Sequence, residues 1–153
     1  MPDSPVEVVG HWLQNLLDPD VINSVVAPDA IYVSLNSENA ELSRIMPWAG
    51  TSRGPQAFIS NLGKMFTRWE NQSFNVTTIF ASGEDVAVFG DFRYKSNSLG
   101  KVVSSPFSIL SKVTDGKVTY LQYLEDSYAT AASFRKDGSW TIQTEVGTEP
   151  FRV

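Results

Sequence analysis

Four runs rich in β-branched and aromatic residues follow one another in the second half of the sequence. These runs are residues 74–80, 86–94, 102–113 and 118–124. The short segments between them are rich in Gly, Asn and Asp, which tolerate the positive φ of tight turns. Because short turns can join only antiparallel neighbours, we expect these runs to form consecutive antiparallel strands.

Two amphipathic helices are predicted ahead of these strands. The first extends from Pro5 to Leu17, with Ser4 as its cap. The second begins at Gly54-Pro55. Its apolar residues recur at helical spacing and should face the core: Phe58, Leu62, Met65, Phe66 and Trp69.

The remaining segments are shorter. A short helix is expected after Asp18-Pro19, a strand over 30–35, and a long polar loop over 36–43. A helix capped by Asp126 and a last strand around 140–144 close the chain. Helices ahead of an antiparallel meander predict an α+β fold, in which one curved sheet wraps around the N-terminal helices as a cone with a pocket.

Length and composition limit the function classes that remain. With 153 residues, of which 42% are apolar, the chain fits one globular domain over residues 1–153. The absence of cysteine and the single histidine exclude thiolate catalysis and the usual zinc and iron sites. Acid–base chemistry on carboxylates and tyrosines, without metal or cofactor, remains possible, as does binding without chemistry.

Charge and hydropathy bear on partners and location. A net charge of −5 disfavours nucleic acid and anionic lipid surfaces as partners. No apolar run approaches the roughly 20 residues needed to cross a bilayer. The N-terminus has no basic region ahead of an apolar stretch, so we expect no membrane association and a cytoplasmic location.

Three short stretches carry a family resemblance. They are Pro47-Trp48-Ala49-Gly50-Thr51-Ser52-Arg53-Gly54, Val113-Thr114-Asp115-Gly116-Lys117-Val118 and Tyr123-Leu124-Glu125-Asp126-Ser127-Tyr128. With the order of elements, they resemble the nuclear transport factor 2-like superfamily, in particular its SnoaL-like, ketosteroid isomerase-like bacterial branch. The resemblance covers nearly all of the chain. It implies a cone-shaped, cystatin-like α+β barrel, commonly a homodimer, that binds a small apolar molecule inside the cone.

The resemblance also implies where catalytic groups would lie. The general base of a ketosteroid isomerase-like site would fall on Ser34, its protonated oxyanion-hole acid near Ser108, and its first-helix tyrosine near Gly10. The triad of a limonene epoxide hydrolase-like site would fall on Gly90, Phe92 and Tyr123. None of these positions carries the expected group, so steroid isomerisation is expected to be absent or very slow.

The same comparison predicts which side chains point into the cone. The expected inward residues are Tyr32, Ser34, Val88, Phe92, Ser108, Leu110, Leu121, Tyr123 and Glu125. Trp48 and Tyr128 are further candidates for lining the ligand cavity, since indole and phenol groups can donate to a ligand. Asp91 and Arg93 are expected outside as salt-bridged interface residues. A one-residue slip would instead make them a pair of charges in the pocket.

Glu125 is the one carboxylate expected to point inward from a strand. Burial would raise its pKa and suit it to carry a proton beside Tyr123. The alternative is a Glu125 at the water-exposed rim, or one bonded to a nearby tyrosine. Asp126 is a third candidate catalytic residue, although an aspartate at a helix start also serves as a cap. His11 lies opposite the apolar stripe of its helix and is expected in solvent.

Two functions stay open from the sequence. The first is a cofactor-independent isomerase, dehydratase or cyclase acting on a small apolar carbonyl compound. The second is a non-catalytic ligand-binding or stress-related domain. For assembly, we expect a half-apolar outer sheet face that a homodimer would bury. Its expected members are Phe107, Ile109, Tyr120, Gln122 and Leu124.

Overall fold

The computed structural model describes residues 3–153, which contain five helices and eight strands. The helices are α1 (Pro5–Gln14), α2 (Pro19–Val25), α3 (Ala40–Ile45), α4 (Pro55–Arg68) and α5 (Ser127–Ala132). The strands are β1 (Val26–Ser34), β2 (Gly50–Arg53), β3 (Trp69–Ser82), β4 (Asp85–Ser96), β5 (Val102–Thr114), β6 (Lys117–Glu125), β7 (Thr141–Ile142) and β8 (Phe151–Arg152).

A six-stranded sheet with the order β2-β1-β6-β5-β4-β3 forms the wall of the fold. Strands β3 to β6 pair antiparallel in sequence, which confirms the predicted meander. Strand β1 pairs parallel to β6, and β2 pairs antiparallel to β1 at the edge. Register shifts in three of the five ladders bend and twist the strands, and the sheet curves into the expected cone-shaped α+β fold.

Helices α1 and α4 pack into the concave face of this sheet. Helix α1 begins with a capping box, in which the Ser4 hydroxyl accepts from Glu7 N and the Glu7 carboxylate accepts from Ser4 N. Helix α4 buries the predicted Phe58, Leu62 and Met65. The ring of Phe58 lies 4.8 Å from that of Tyr32 on β1, so the helix is held directly against the sheet.

Three predicted elements differ from the structure. Helix α1 ends at Gln14, three residues before the predicted end, and leaves Leu17 exposed. The chain must turn there because Asp18, which precedes Pro19, is extended. The second half of the expected polar loop, from residue 40, belongs to α3, which buries only Leu42 and is too short to show a helical period. The strand predicted around residues 140–144 is β7, which pairs with β8 in a separate two-stranded ribbon.

An unpaired residue, Thr119, sets the register between β5 and β6. Next to the turn, Thr114 pairs with Lys117 and Val113 with Val118, but Lys112 then pairs with Tyr120. The bulge shifts every later pair by one residue, which exchanges the two faces of one strand relative to the other.

The bulge overturns the predicted orientation of β5. Without it, Ser108 would lie opposite Tyr123 and share its inward face. The ladder instead pairs Ser108 with Leu124, and Ile109 with Tyr123. Phe107 and Ile109 are therefore buried, whereas on the outer face Leu110 is exposed and Ser108 is partly buried. The predictions that Ser108 and Leu110 face the cone interior, and that Phe107 and Ile109 face outward, are wrong.

Gly90 of β4 is required by close packing on the inner face. A Cβ at this position would lie 2.0 Å from the carbonyl oxygen of Asn75 and 2.6 Å from the ring of Phe107. The Phe107 ring stacks on Phe74 across this gap, with ring centroids 4.7 Å apart. The missing side chain thus makes room for this aromatic pair.

We expect Gly90→Ala to lower the free energy of unfolding by about 1–3 kcal/mol, because the added methyl group forces the backbone and Phe107 apart. Gly63→Ala in α4 is the matched control. Beyond the backbone of α4 itself, a Cβ at residue 63 would have no atom within 4 Å. The alanine should therefore raise stability by up to about 1 kcal/mol through helix propensity. Denaturant titration measures both. Equal stability of the two variants would contradict the packing argument.

Candidate functional site

Polar side chains from strands β1, β4 and β6 lie on the inner face of the sheet. Tyr32 and Ser34 point inward from β1, and Ser34 pairs with Tyr123 of β6. Tyr94 reaches the same interior from β4. Two residues beyond Tyr123, at the end of β6, Glu125 lies on the same face. Tyr32, Ser34, Tyr123 and Glu125 thus face inward, as predicted.

Glu125 is the acidic residue on this inner face. Its Oε2 atom is buried without a hydrogen-bond partner among the described residues. Burial raises the pKa of the Glu125 carboxyl from 4.5 to about 8, and the charge of Asp126 raises it further, while the Thr130 hydroxyl acts in the opposite direction. Glu125 is therefore mostly protonated at neutral pH and can still release its proton slightly above it.

Three tyrosines share the interior with this acid. Burial, followed by the charge of Glu125, raises the pKa of Tyr94 and of Tyr123. Burial also raises the pKa of Tyr32, with Ser34 opposing the change. All three phenols consequently stay protonated across the physiological range and present hydroxyl groups that can donate a hydrogen bond.

A narrow cavity of about 20 Å³ lies between these strands and the helices α1 and α4. Its lining consists of Trp12, Leu13, Leu16, Tyr32, Ser34, Leu62, Met65, Phe74, Tyr94, Ile109 and Tyr123. This volume suffices for about one water molecule. A larger ligand therefore requires apolar lining side chains to move.

Trp48 and Phe92 lie in an aromatic cluster and do not line this cavity. Trp48 is buried, with its ring centroid 4.9 Å from that of Trp69. The Trp69 ring in turn contacts Phe92 and Tyr94, at 6.5 and 5.2 Å. Leu121 is fully buried in the core of the sheet. The structure places these predicted ligand-lining residues behind or beside the cavity wall.

Tyr128 lies in a different concavity, a surface groove of about 480 Å³ formed by α3, α5 and Trp140. Its ring is more than half exposed and meets Trp140 edge-on at 5.6 Å. Asp126 is also exposed, and its Oδ1 accepts from Ala129 N at 3.1 Å as the cap of α5. The structure thus does not bring Tyr128 or Asp126 together with the cone cavity.

Asp91 and Arg93 lie on the outer face of β4, as expected, and each bonds to a neutral side chain of the same molecule. Asp91 accepts from the side chain of Asn75 at 3.1 Å, and Arg93 donates to Gln72 at 3.1 Å. Each thus bonds to a neutral amide on β3, and within the described part of the chain neither forms a salt bridge. Salt bridges across a dimer interface stay a prediction. His11 is exposed, as predicted.

Sequence reasoning missed Tyr94 and Trp12 as site residues. Tyr94 shares the alternation of Val88 and Phe92 on β4, so the pattern itself could have identified it. Trp12 lies within α1 and is buried in the cavity wall.

We expect Glu125 to make folding stability depend on pH. The unfolded chain releases this proton near pH 4.5, while the folded chain keeps it until about pH 8. Between these values the folded state binds more protons, so stability falls as the pH rises, by on the order of 4 kcal/mol from this group. Denaturant titrations from pH 4.5 to 8 should show this loss for the wild type relative to Glu125→Gln. Parallel curves for the two proteins would show that the carboxyl is not desolvated.

Comparisons with known proteins bear on the family and the fold of this chain. Residues 13–121 match the family model of the SnoaL-like domain. Patulin synthesis protein F of Aspergillus clavatus is 39% identical over 141 residues, which cover 89% of this chain and 71% of that protein.

Two solved structures share the fold. A nuclear transport factor 2-like protein from Burkholderia xenovorans LB400 is 23% identical, with a TM-score of 0.75 over 88% of this chain and 98% of that chain. TerC, co-crystallized with polyporic acid, is 22% identical, with a TM-score of 0.71 over 86% of this chain and 98% of that chain. Within residues 3–153, no helix has the length and apolar character required to span a membrane.

Proposed function

The chain belongs to the SnoaL-like domain family of the nuclear transport factor 2-like superfamily, and on that premise we propose that it is a cofactor-independent acid–base catalyst. Its substrate is a small, largely apolar carbonyl compound, which it isomerises, dehydrates or cyclises. The observation that carries this proposal is the Glu125 carboxyl, which has a pKa of about 8 and whose Oε2 atom is buried without a hydrogen-bond partner among the described residues, on the same face as Tyr123. A general acid or base works best when its pKa lies near the working pH.

The chemistry needs only these side chains. As the acid, Glu125 donates its proton to a carbonyl oxygen or to a departing hydroxyl group. As the carboxylate, it removes a proton from the carbon next to the carbonyl. In an isomerisation the proton leaves one carbon and returns to another, so no oxidant or reductant is consumed. Tyr123 keeps its own proton and stabilises the negative charge that develops on the carbonyl oxygen.

Two comparisons support a small-molecule role. The relative from Aspergillus clavatus is named for patulin synthesis, and TerC was crystallized with polyporic acid. By analogy we place this chain in a biosynthetic sequence, acting on an organic intermediate. The positions that ketosteroid isomerase-like acids would occupy carry Ser34 and an outward Ser108, so the site would use a different carboxyl from a different strand end.

We expect Glu125→Gln to lower turnover by about 10²- to 10⁴-fold, because the amide cannot carry a proton. The substrate would first be identified by mass spectrometry of small molecules that copurify with the protein. The wild-type rate should change with an apparent pKa of about 8, and the variant should lose this inflection. Asp126→Asn is the control. It keeps a capping oxygen and should retain turnover, with stability lowered by about 1 kcal/mol or less. Full turnover in Glu125→Gln would favour non-catalytic ligand binding.

For assembly, we infer a homodimer through the outer face of the sheet. Four exposed apolar side chains lie on adjacent strands there: Phe80, Phe89, Leu110 and Leu124. The rings of Phe80 and Phe89 stack at 6.3 Å. An apolar face of this kind is better buried against a second copy than left in water.

We expect light scattering of the wild type to give about twice the monomer mass of 16.9 kDa. Leu124→Lys should shift the protein towards monomer, because a charge would be buried at the interface. Val146→Lys, at a fully exposed position outside the sheet, should leave the mass unchanged. A monomeric wild type at micromolar concentration would exclude this assembly.

A further inference from the structure

Trp12 lines the cone cavity and carries a hydrogen-bond donor that no described residue uses. It lies on α1, is 3% exposed and lines the cavity together with Tyr32 and Ser34. Its ring packs edge-on against Phe58, with centroids 5.8 Å apart. The indole Nε1 is buried and has no partner within the described part of the chain. An indole N–H can only donate, so nothing but an acceptor can satisfy it.

The other polar groups of the interior add donors. Tyr32, Tyr94 and Tyr123 keep their phenolic protons because burial raises the pKa of each. Glu125 holds its proton at neutral pH. A cationic or amine ligand would add further donors to a buried site that lacks a fixed negative charge. An anionic ligand would be desolvated there without a positive partner.

We propose that Trp12 is a specificity residue whose Nε1–H binds a carbonyl oxygen of the substrate, so that the cavity selects neutral molecules bearing such an acceptor. The inference rests on the function proposed above and narrows its substrate class. The N–H approaches the substrate from the helical side of the cavity, opposite Tyr123 on the sheet. A carbonyl bound by Trp12 is thereby oriented before any proton moves.

Substrate entry requires movement of named side chains. The cavity has room for about one water, but an open groove of about 610 Å³ adjoins it. Leu13, Leu16 and Phe74 line both spaces and separate them. All three are only partly buried, and Leu16 lies beyond the end of α1. Displacement of these side chains joins the groove to the cavity and exposes the Trp12 donor.

Chromone, a neutral planar ketone, and naphthalene, a similar bicycle without a carbonyl, test this proposal directly. The chain has four tryptophans, so nitrogen-15 NMR resolves at most four indole N–H signals. Chromone should move the Trp12 signal downfield, as expected for a new hydrogen bond, whereas naphthalene should not. The signal is assigned from its loss in Trp12→Phe or, if that variant does not fold, from its proximity to the Phe58 ring.

Trp12→Phe keeps an aromatic ring and removes the N–H, and it should weaken chromone binding about tenfold. Naphthalene binding should be affected less. Trp140→Phe, in the separate surface groove, is the control and should bind chromone as the wild type does. Loss of chromone binding in Trp140→Phe alone, an unmoved Trp12 signal, or no binding of chromone would overturn the proposal. Glu125→Gln separates the two proposals, since a proton-transfer role is read from turnover and a Trp12 contact from binding.

Discussion

Strand β6 joins the two halves of the sheet, and its unpaired Thr119 determines which side chains reach the interior. On one side β6 pairs with β5, the last strand of the meander β3-β4-β5. On the other side it pairs with β1, which in turn pairs with β2. The bulge shifts the ladder by one residue, so Ile109 lies beside Tyr123 and Phe107 beside Glu125. Aromatic and aliphatic side chains therefore surround the acid. Without the shift, Ser108 would lie beside Tyr123 and Pro106 beside Glu125, and Phe107 would face outward.

This environment explains why Glu125 has unusual acidity. A carboxylate in an apolar wall loses hydration, and within residues 3–153 the Oε2 atom of Glu125 has no hydrogen-bond partner. The neutral acid is therefore favoured, and the same desolvation keeps the neighbouring phenols protonated. The arrangement lowers stability at alkaline pH, since the folded state must then hold a buried charge. Such a sacrifice of stability is typical of groups retained for chemistry.

The fold and the site are separable in this protein. The cone-shaped sheet with its packed helices is shared with structures that are only 22–23% identical. Its polar groups, however, are placed at different positions from those of a ketosteroid isomerase-like site. Phenols from three strands and an indole from α1 line one cavity, and the acid at the end of β6 lies on the same face of the sheet but does not line that cavity. A scaffold of this kind can change its chemistry by moving polar groups along strands whose backbone stays the same.

The sequence by itself determined the features that depend on local pattern. Turn residues between β-rich runs predicted the meander, and helical spacing predicted the buried face of α4. The family resemblance implied an inward Tyr123 and Glu125. The tertiary structure decided what local pattern cannot contain. The strand period is two, so the single unpaired Thr119 reversed the predicted face of Ser108 and Leu110. The short α3 and β2 show too few residues for a period. The missing partners of Trp12 Nε1 and Glu125 Oε2 depend on side chains from distant segments, which only the packed chain brings together.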